Sequence, residues 1–299
     1  MSQQQLNHDL DLLLDEAGFS ELQEAMVRVF QSAFIALFGD TSASLDGEAA
    51  RAASGLRALV PVEKIADPGN TPSVNLWQIP NLGEFQELWQ GLIDIATRIS
   101  YRDDRSQRLV VETLRVLRGD ASVWKDLPDL DDMMRDKWIN PTFQWHPEEE
   151  DHYKLHHWLN LNSFVARLFG SGVFKSYRFP IWQLRQGLED DLSEEAKGDC
   201  TPAEAVDNRV AVASEWLIHA GPALLKLSLL EDQELDDALR RSYRPGVLFS
   251  GNPGFNLERW GFWKRRLGEL RSEVGEEVVL SVDKAVEIMN KSAAELVRD

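Results

Sequence analysis

Glu215 and His219 stand one helical turn apart and are the pair in this chain best placed to move a proton. A carboxylate can hold an imidazole in one tautomer, and histidine titrates near neutrality, so the two form a usable general base and acid. The same spacing also makes an ordinary ion pair on a helix. Three other stretches set polar groups inside apolar patterns. In WLNLNSFVARL (158–168), residues placed at roughly 100° intervals put Asn162 among Trp158, Leu161, Val165 and Phe169. A buried amide needs partners or costs about 1–3 kcal/mol. Asn162 therefore either bonds a neighbouring helix or orients a ligand carbonyl or water.

In IWQLRQGLE (181–189), Arg185 can pair with Glu189 at i,i+4 and lie on the Trp182 ring. Ile181, Leu184 and Leu188 crowd that pair toward the interior. In NLERWGFWKRRL (256–267), Trp260, Trp263 and Leu267 form one stripe with Arg259 beside Trp263, and Asn256 is placed as an N-cap. The residues expected to do chemistry are thus Glu215 and His219 as catalytic groups. Asn162, Trp158, Trp182, Arg185, Glu189, Arg259 and Trp263 are expected to bind substrate.

Two other clusters argue against themselves. His152, His156 and His157 follow Glu148–Glu150, but a zincin helix needs Glu directly after the first His, and Tyr153 stands there. The imidazoles also fall away from the apolar arc, so they read as solvent-side and no metal is expected. The run Asp131-Asp132-Met133-Met134-Arg135-Asp136 suggests the Mg²⁺–diphosphate aspartates of a terpene synthase. It has one residue too many for the commonest form, and no Asn/Asp–Ser–Glu triad follows; it reads as a solvated turn. No Gly-rich nucleotide loop, GxSxG elbow or paired CxxC occurs, so no cofactor is expected.

The elements that must position these groups are helical throughout. Helix-period apolar residues run through 6–17, 19–38, 45–59, 81–100 and 103–117. A long helix is expected to open at Pro147 and stop at Gly170. Residues 181–190, 201–221, 222–230, 233–243, 256–270 and 282–297 continue the pattern. Ser20 and Thr201 open capping boxes, the second with Pro202 at the first helical position. Residues 60–80 and 244–255 are Pro/Gly-rich loops, and 189–198 reads as a solvated acidic segment. The expectation is an all-α, irregular bundle or array of about 10–13 helices without a significant sheet. Residues 1–60 would be N-terminal helices, 61–80 a loop and 81–299 the main domain.

Composition limits the partners. The 299 residues carry a net charge of −18, which repels phosphate backbones and anionic membranes, so neither nucleic acid nor membrane is expected. A single cysteine, Cys200, excludes an internal disulfide, and no signal peptide is evident at the start, so a cytoplasmic location is expected. Ten tryptophans fit either a helical core or a ligand-lining role. A homodimer is left open.

The order and spacing of WLNLNSFVARL, IWQLRQGLE, AVASEWLIHAG and GFNLERWGFWKRRL resemble the fungal domain-of-unknown-function family numbered 3632, over about residues 80–290. The resemblance implies an all-helical fold and a fungal origin. It also implies a link to natural-product gene clusters, since some relatives are associated with them. Together these point to a cofactor-independent enzyme acting on an apolar oxygenated molecule of polyketide type, by cyclisation, lactonisation or dehydration. The alternative is a non-catalytic helical interaction module with an acidic surface.

Overall fold

Helix-period patterns and their caps become twelve α-helices, with no strand, among the described residues. The computed structural model describes residues 3–15, 18–40, 42–61, 81–119, 122–143, 153–193, 200–230 and 235–296. They form two compact units, 1–139 and 140–299. This boundary divides the domain expected over 81–299, since the helices from Leu82 to Asp136 pack with the N-terminal ones. The Pro-rich loop expected over 61–80 lies outside the described residues, apart from Pro61.

The first unit holds α1 (Gln3–Asp15), α2 (Glu21–Gly39), α3 (Leu45–Leu59), α4 (Leu82–Arg98), α5 (Asp104–Arg118) and α6 (Leu130–Asp136). Ser20 caps α2 by accepting from the Gln23 amide, and Gln23, rather than a glutamate, closes the box. Aromatic packing ties α4 to the 3-10 turn Val123–Asp126: Trp124 meets Phe85 edge-on at 4.8 Å. The Trp89 indole donates to the Pro128 carbonyl at 2.6 Å. On α6, Arg135 engages Asp132 at 2.7 Å and Asp136 at 3.0 Å.

The second unit holds α7 (Leu155–Gly170), α8 (Arg178–Leu184), α9 (Pro202–Ser228), α10 (Asp237–Ser242), α11 (Leu257–Leu270) and α12 (Glu276–Leu296). The expected start of α7 at Pro147 is corrected. Residues 144–152 lie outside the described set, and Tyr153 and Lys154 are not helical, so the helix begins at Leu155. The expected break in α9 is also corrected. One 27-residue helix runs through Pro222, which is exposed, so water can serve the Ile218 carbonyl that proline leaves unpaired. Its start follows the sequence closely, with Thr201 and Glu204 closing a capping box around Pro202. α12 begins six residues before the expected Val282.

Three of these helices run parallel. Asn208 donates to the Leu155 carbonyl and Ser163 to Glu215, and Gly170 packs on His219, so positions on α7 and α9 rise together. The Gly275 amide donates to Asp207, and Ile288 packs on Gly221, so α12 also rises with α9. Trp260, early in α11, lies beside Gly221, so α11 runs the opposite way. The central helices are buried around most of their circumference. On α7, Trp158 through Ala166 are all buried, and polar residues are enclosed with apolar ones.

Candidate functional site

Glu215 and His219 lie on regular α-helix, and the carboxylate accepts from His219 Nε2 at 3.1 Å. The same oxygen, Oε2, accepts the Ser163 hydroxyl from α7 at 2.6 Å. With Glu215 as acceptor, the ring nitrogen facing it carries the N–H. The imidazole is thereby fixed with hydrogen on Nε2 and a lone pair on Nδ1. Glu215 is buried, while the His219 side chain keeps 16% of its surface exposed. Burial lowers the His219 pKa below its ordinary 6.5; the Glu215 hydrogen bond raises it in opposition, and the Arg167 and Lys284 charges lower it further. Burial thus favours the neutral ring, which can accept a proton.

Asn162 is enclosed and its partners are both within the fold. Its amide nitrogen donates to the Trp158 carbonyl at 2.9 Å, and its oxygen accepts the Trp216 indole N–H at 2.9 Å. Trp158 is itself fully buried, with its ring stacked on Tyr153. Of the two readings open for this amide, the structure shows the helix-to-helix bond.

The remaining expected residues gather around the loop 244–255. The expected pairing of Arg185 with Glu189 is corrected. The chain from Arg185 to Glu189 is a π-helical segment, marked by the Asp190 amide donating to the Arg185 carbonyl five residues back. That wider turn takes Glu189 off the line of Arg185 and points it inward. Glu189 instead meets Arg259, at 2.6 Å to Nε and 2.9 Å to Nη2, and also accepts the Trp263 indole at 2.6 Å and the Gly246 amide at 2.9 Å. The expectation that Glu189 opens a solvated segment fails with it, since the residue is 0% exposed.

Arg259 spends its remaining donors on the carbonyls of Tyr243, Gly254 and Arg244. Nε and both terminal nitrogens are engaged, two of them on Glu189, so the guanidinium has no donor left for a ligand. The role expected for Glu189, Arg259 and Trp263 in substrate binding gives way to a scaffold role: they pin the loop 244–255 to α11 and the π segment. Asn256 caps α11 as expected, accepting from the Arg259 amide at 2.8 Å. Arg185 donates to the Ser242 carbonyl and Trp182 to the Ser242 hydroxyl, which holds the end of α10. Burial lowers the Arg185 pKa; Asp190 opposes this.

The hydrogen bonds thus divide the expected residues into two sets. Trp158, Asn162, Glu215 and His219 line the contact of α7 with α9; Trp182, Arg185, Glu189, Arg259 and Trp263 hold the loop. Six tryptophans, Trp89, Trp124, Trp158, Trp216, Trp260 and Trp263, are buried core. Among the solvent-side histidines, His156 is exposed and His157 half-buried, while His152 lies outside the described residues. A groove of about 440 Å³ between α2 and α3 in the first unit is lined by none of the expected residues.

Two interior groups were missed. Ser163 was read only as part of a helix, and no sequence signal ties it to Glu215, 52 positions on. Arg209 is buried in α9, donates to Thr142 Oγ1 at 2.8 Å and lies 4.0 Å over the Phe143 ring. An arginine heading the apolar run RVAVASEW was a visible cue.

No helix among the described residues is long and apolar enough to cross a membrane. No curated protein and no solved structure matches the chain. A family model does match, over residues 89–267, from within α4 to near the end of α11. That stretch contains every residue of both sets, and the chain belongs to the family described as Protein of unknown function (DUF3632).

Proposed function

We propose that this protein is a small-molecule enzyme that works by proton transfer without a redox cofactor. His219 is the acid–base group and Glu215 the carboxylate that orients it. The observation that carries the reading is the Ser163–Glu215–His219 line, which fixes the imidazole tautomer and turns the Nδ1 lone pair away from the carboxylate. A neutral, partly exposed imidazole suits cyclisation, lactonisation or dehydration of an oxygenated, polyketide-type molecule. The family resemblance supports a place in fungal natural-product tailoring, and the lone cysteine supports a cytosolic setting. Chromosomal His219→Gln and Glu215→Gln strains, compared with a deletion by metabolite profiling, test it. Both variants should reproduce the deletion profile while the purified proteins keep native far-UV circular dichroism. A deletion that changes nothing sinks the enzyme, and a His219→Gln strain that matches wild type sinks the dyad.

A second reading is favoured by a separate observation. Val247 and Leu248 are 79% and 45% exposed on the loop that Glu189 and Arg259 hold at Gly246 and Arg244. A preformed apolar tip is what an interaction module presents to a partner, here a second copy of the chain. Sedimentation should then show a dimer that Val247→Asp/Leu248→Asp converts to monomer. A monomeric wild type removes this reading.

A further inference from the structure

We infer that the groove between α2 and α3 is a binding site for a primary alkylammonium ion, whose charged nitrogen sits on Glu48 and whose apolar tail lies along the groove. The site belongs to the first unit and stands independently of the proton-transfer reading.

Short side chains leave this space open. Helices α2 and α3 pack together and are joined by residues 40–44 alone, so they run antiparallel. Gly55 packs on Val29, so moving equally far along each helix toward the joining turn brings Glu48 level with Ala36. Between these levels the walls are Ala33 and Ala52. Side chains this small cannot fill the valley between two helices, and about 440 Å³ is left. Along α2 the lining runs from Ala25 to Ala36, about 16 Å at the helical rise. A straight octyl chain fits within that length.

Glu48 supplies the charge. It lines the groove yet is 1% exposed, and its Oε1 accepts no hydrogen bond among the described residues. Arg51, three residues on, meets it as an ion pair from a side chain that is 67% exposed. The carboxylate therefore already takes a nitrogen cation, and takes it from a residue standing mostly in water. Such a side chain is a weak holder, because water screens the pair and a long stem must be ordered. Arg51 also has a second carboxylate within electrostatic reach. Hydrogen bonds from Ser42 hold the Asp40 carboxyl below its ordinary range, and the Arg51 charge adds to this. An incoming ammonium can thus take Glu48 while Arg51 turns toward Asp40. Its compact head carries three donors and can reach Oε1, which the broad guanidinium meets without a hydrogen bond. Arg28 lines the far end, about two turns from Ala36, beyond the range at which exposed charges act strongly in salt. The net charge of −18 draws cations to the chain, and the alanine walls favour an alkyl tail over water.

The test is calorimetric titration of the full chain with octylamine, methylamine or octanoate at neutral pH and constant ionic strength. Octylamine is protonated there, as a lysine side chain is, and should bind saturably. Methylamine lacks the tail and octanoate carries the opposite charge, so each should bind about tenfold more weakly or worse. Glu48→Gln should weaken octylamine by about tenfold, as loss of one charge-assisted contact would. Ala36→Leu fills the groove beside Glu48 and should weaken octylamine while the carboxylate stays. Arg51→Ala removes the competitor for Glu48 and should strengthen octylamine severalfold, whereas damage to the fold would act the other way. Octylamine that fails to saturate, binding undiminished in both Glu48→Gln and Ala36→Leu, octanoate bound in preference to octylamine, or weaker binding in Arg51→Ala would overturn the assignment.

Discussion

Glu189 and Arg259 meet through both carboxylate oxygens, at 2.6 and 2.9 Å, with neither side chain reaching solvent. They are 70 residues apart in sequence. The pair closes the loop 244–255 from below, because Arg259 also gathers the carbonyls of Tyr243, Arg244 and Gly254. Removing one partner of such a pair strands a buried charge.

Glu189→Leu should therefore lower stability by about 3–5 kcal/mol in urea unfolding. The double variant Glu189→Leu/Arg259→Met should cost clearly less than the sum of the single changes. Strict additivity would mean that the two charges do not depend on each other. Arg259→Lys should behave like a loss, because one ammonium cannot reach the acceptors that the guanidinium spans.

Asn162→Leu keeps the volume of the side chain but leaves the Trp216 indole N–H without an acceptor inside the core. The expected loss is about 1–3 kcal/mol of stability. A variant that stays as stable as wild type would show that the amide is not what satisfies Trp216.

Close helix contact sets a further expectation. A Cβ on Gly187 would lie 2.5 Å from the Arg209 carbonyl oxygen and 2.8 Å from the Ala213 Cβ. A backbone oxygen cannot move aside as a flexible side chain can. Gly187→Ala and Gly170→Ala should each destabilise by about 1–3 kcal/mol, read as a lower urea midpoint. An unchanged midpoint in either would mean that the helices have room to part.

The His219 pKa lies below that of the unfolded chain, so the unfolded state takes up the proton first as pH falls. The stability linked to this group is complete above the unfolded value of 6.5 and declines as pH drops from there through the lower folded value. Wild type should lose stability relative to His219→Gln across that window, by chemical denaturation at a series of pH values. Glu215→Gln should lower the His219 midpoint further, since the carboxylate supports the protonated ring. A midpoint at or above the ordinary histidine value in wild type would contradict the burial argument.

The helices were legible because each rests on local information. Apolar spacing marked α2, α4 and α5 close to their observed ends, and Ser20, Thr201 and Asn256 marked starts through side chains that reach only three residues ahead. Gly170 shows where local reading stops short. The helix does stop at Gly170 as expected, yet the left-handed turn after it belongs to Gly172, with φ +75°. The Val173 and Gly172 amides close that end on the Leu168 and Phe169 carbonyls. Gly170 is small because His219 presses on it.

The sequence by itself determined the all-helical class, the caps and the Glu215–His219 pair, since that pair lies on regular helix where four residues make about one turn. Arg185 and Glu189 have the same spacing and do not pair. The π segment between them changes the rise and rotation on which i,i+4 arithmetic depends, and it delivers Glu189 to Arg259 instead. Tertiary structure alone decided which buried polar group found which partner. Asn162 met Trp216, Ser163 met Glu215, and Arg209 met Thr142. The physical reason is that a hydrogen bond within a helix is fixed by the chain's own geometry. A bond between helices depends on their packing direction and register, and these are set by contacts such as Gly170 on His219 and Gly221 on Ile288.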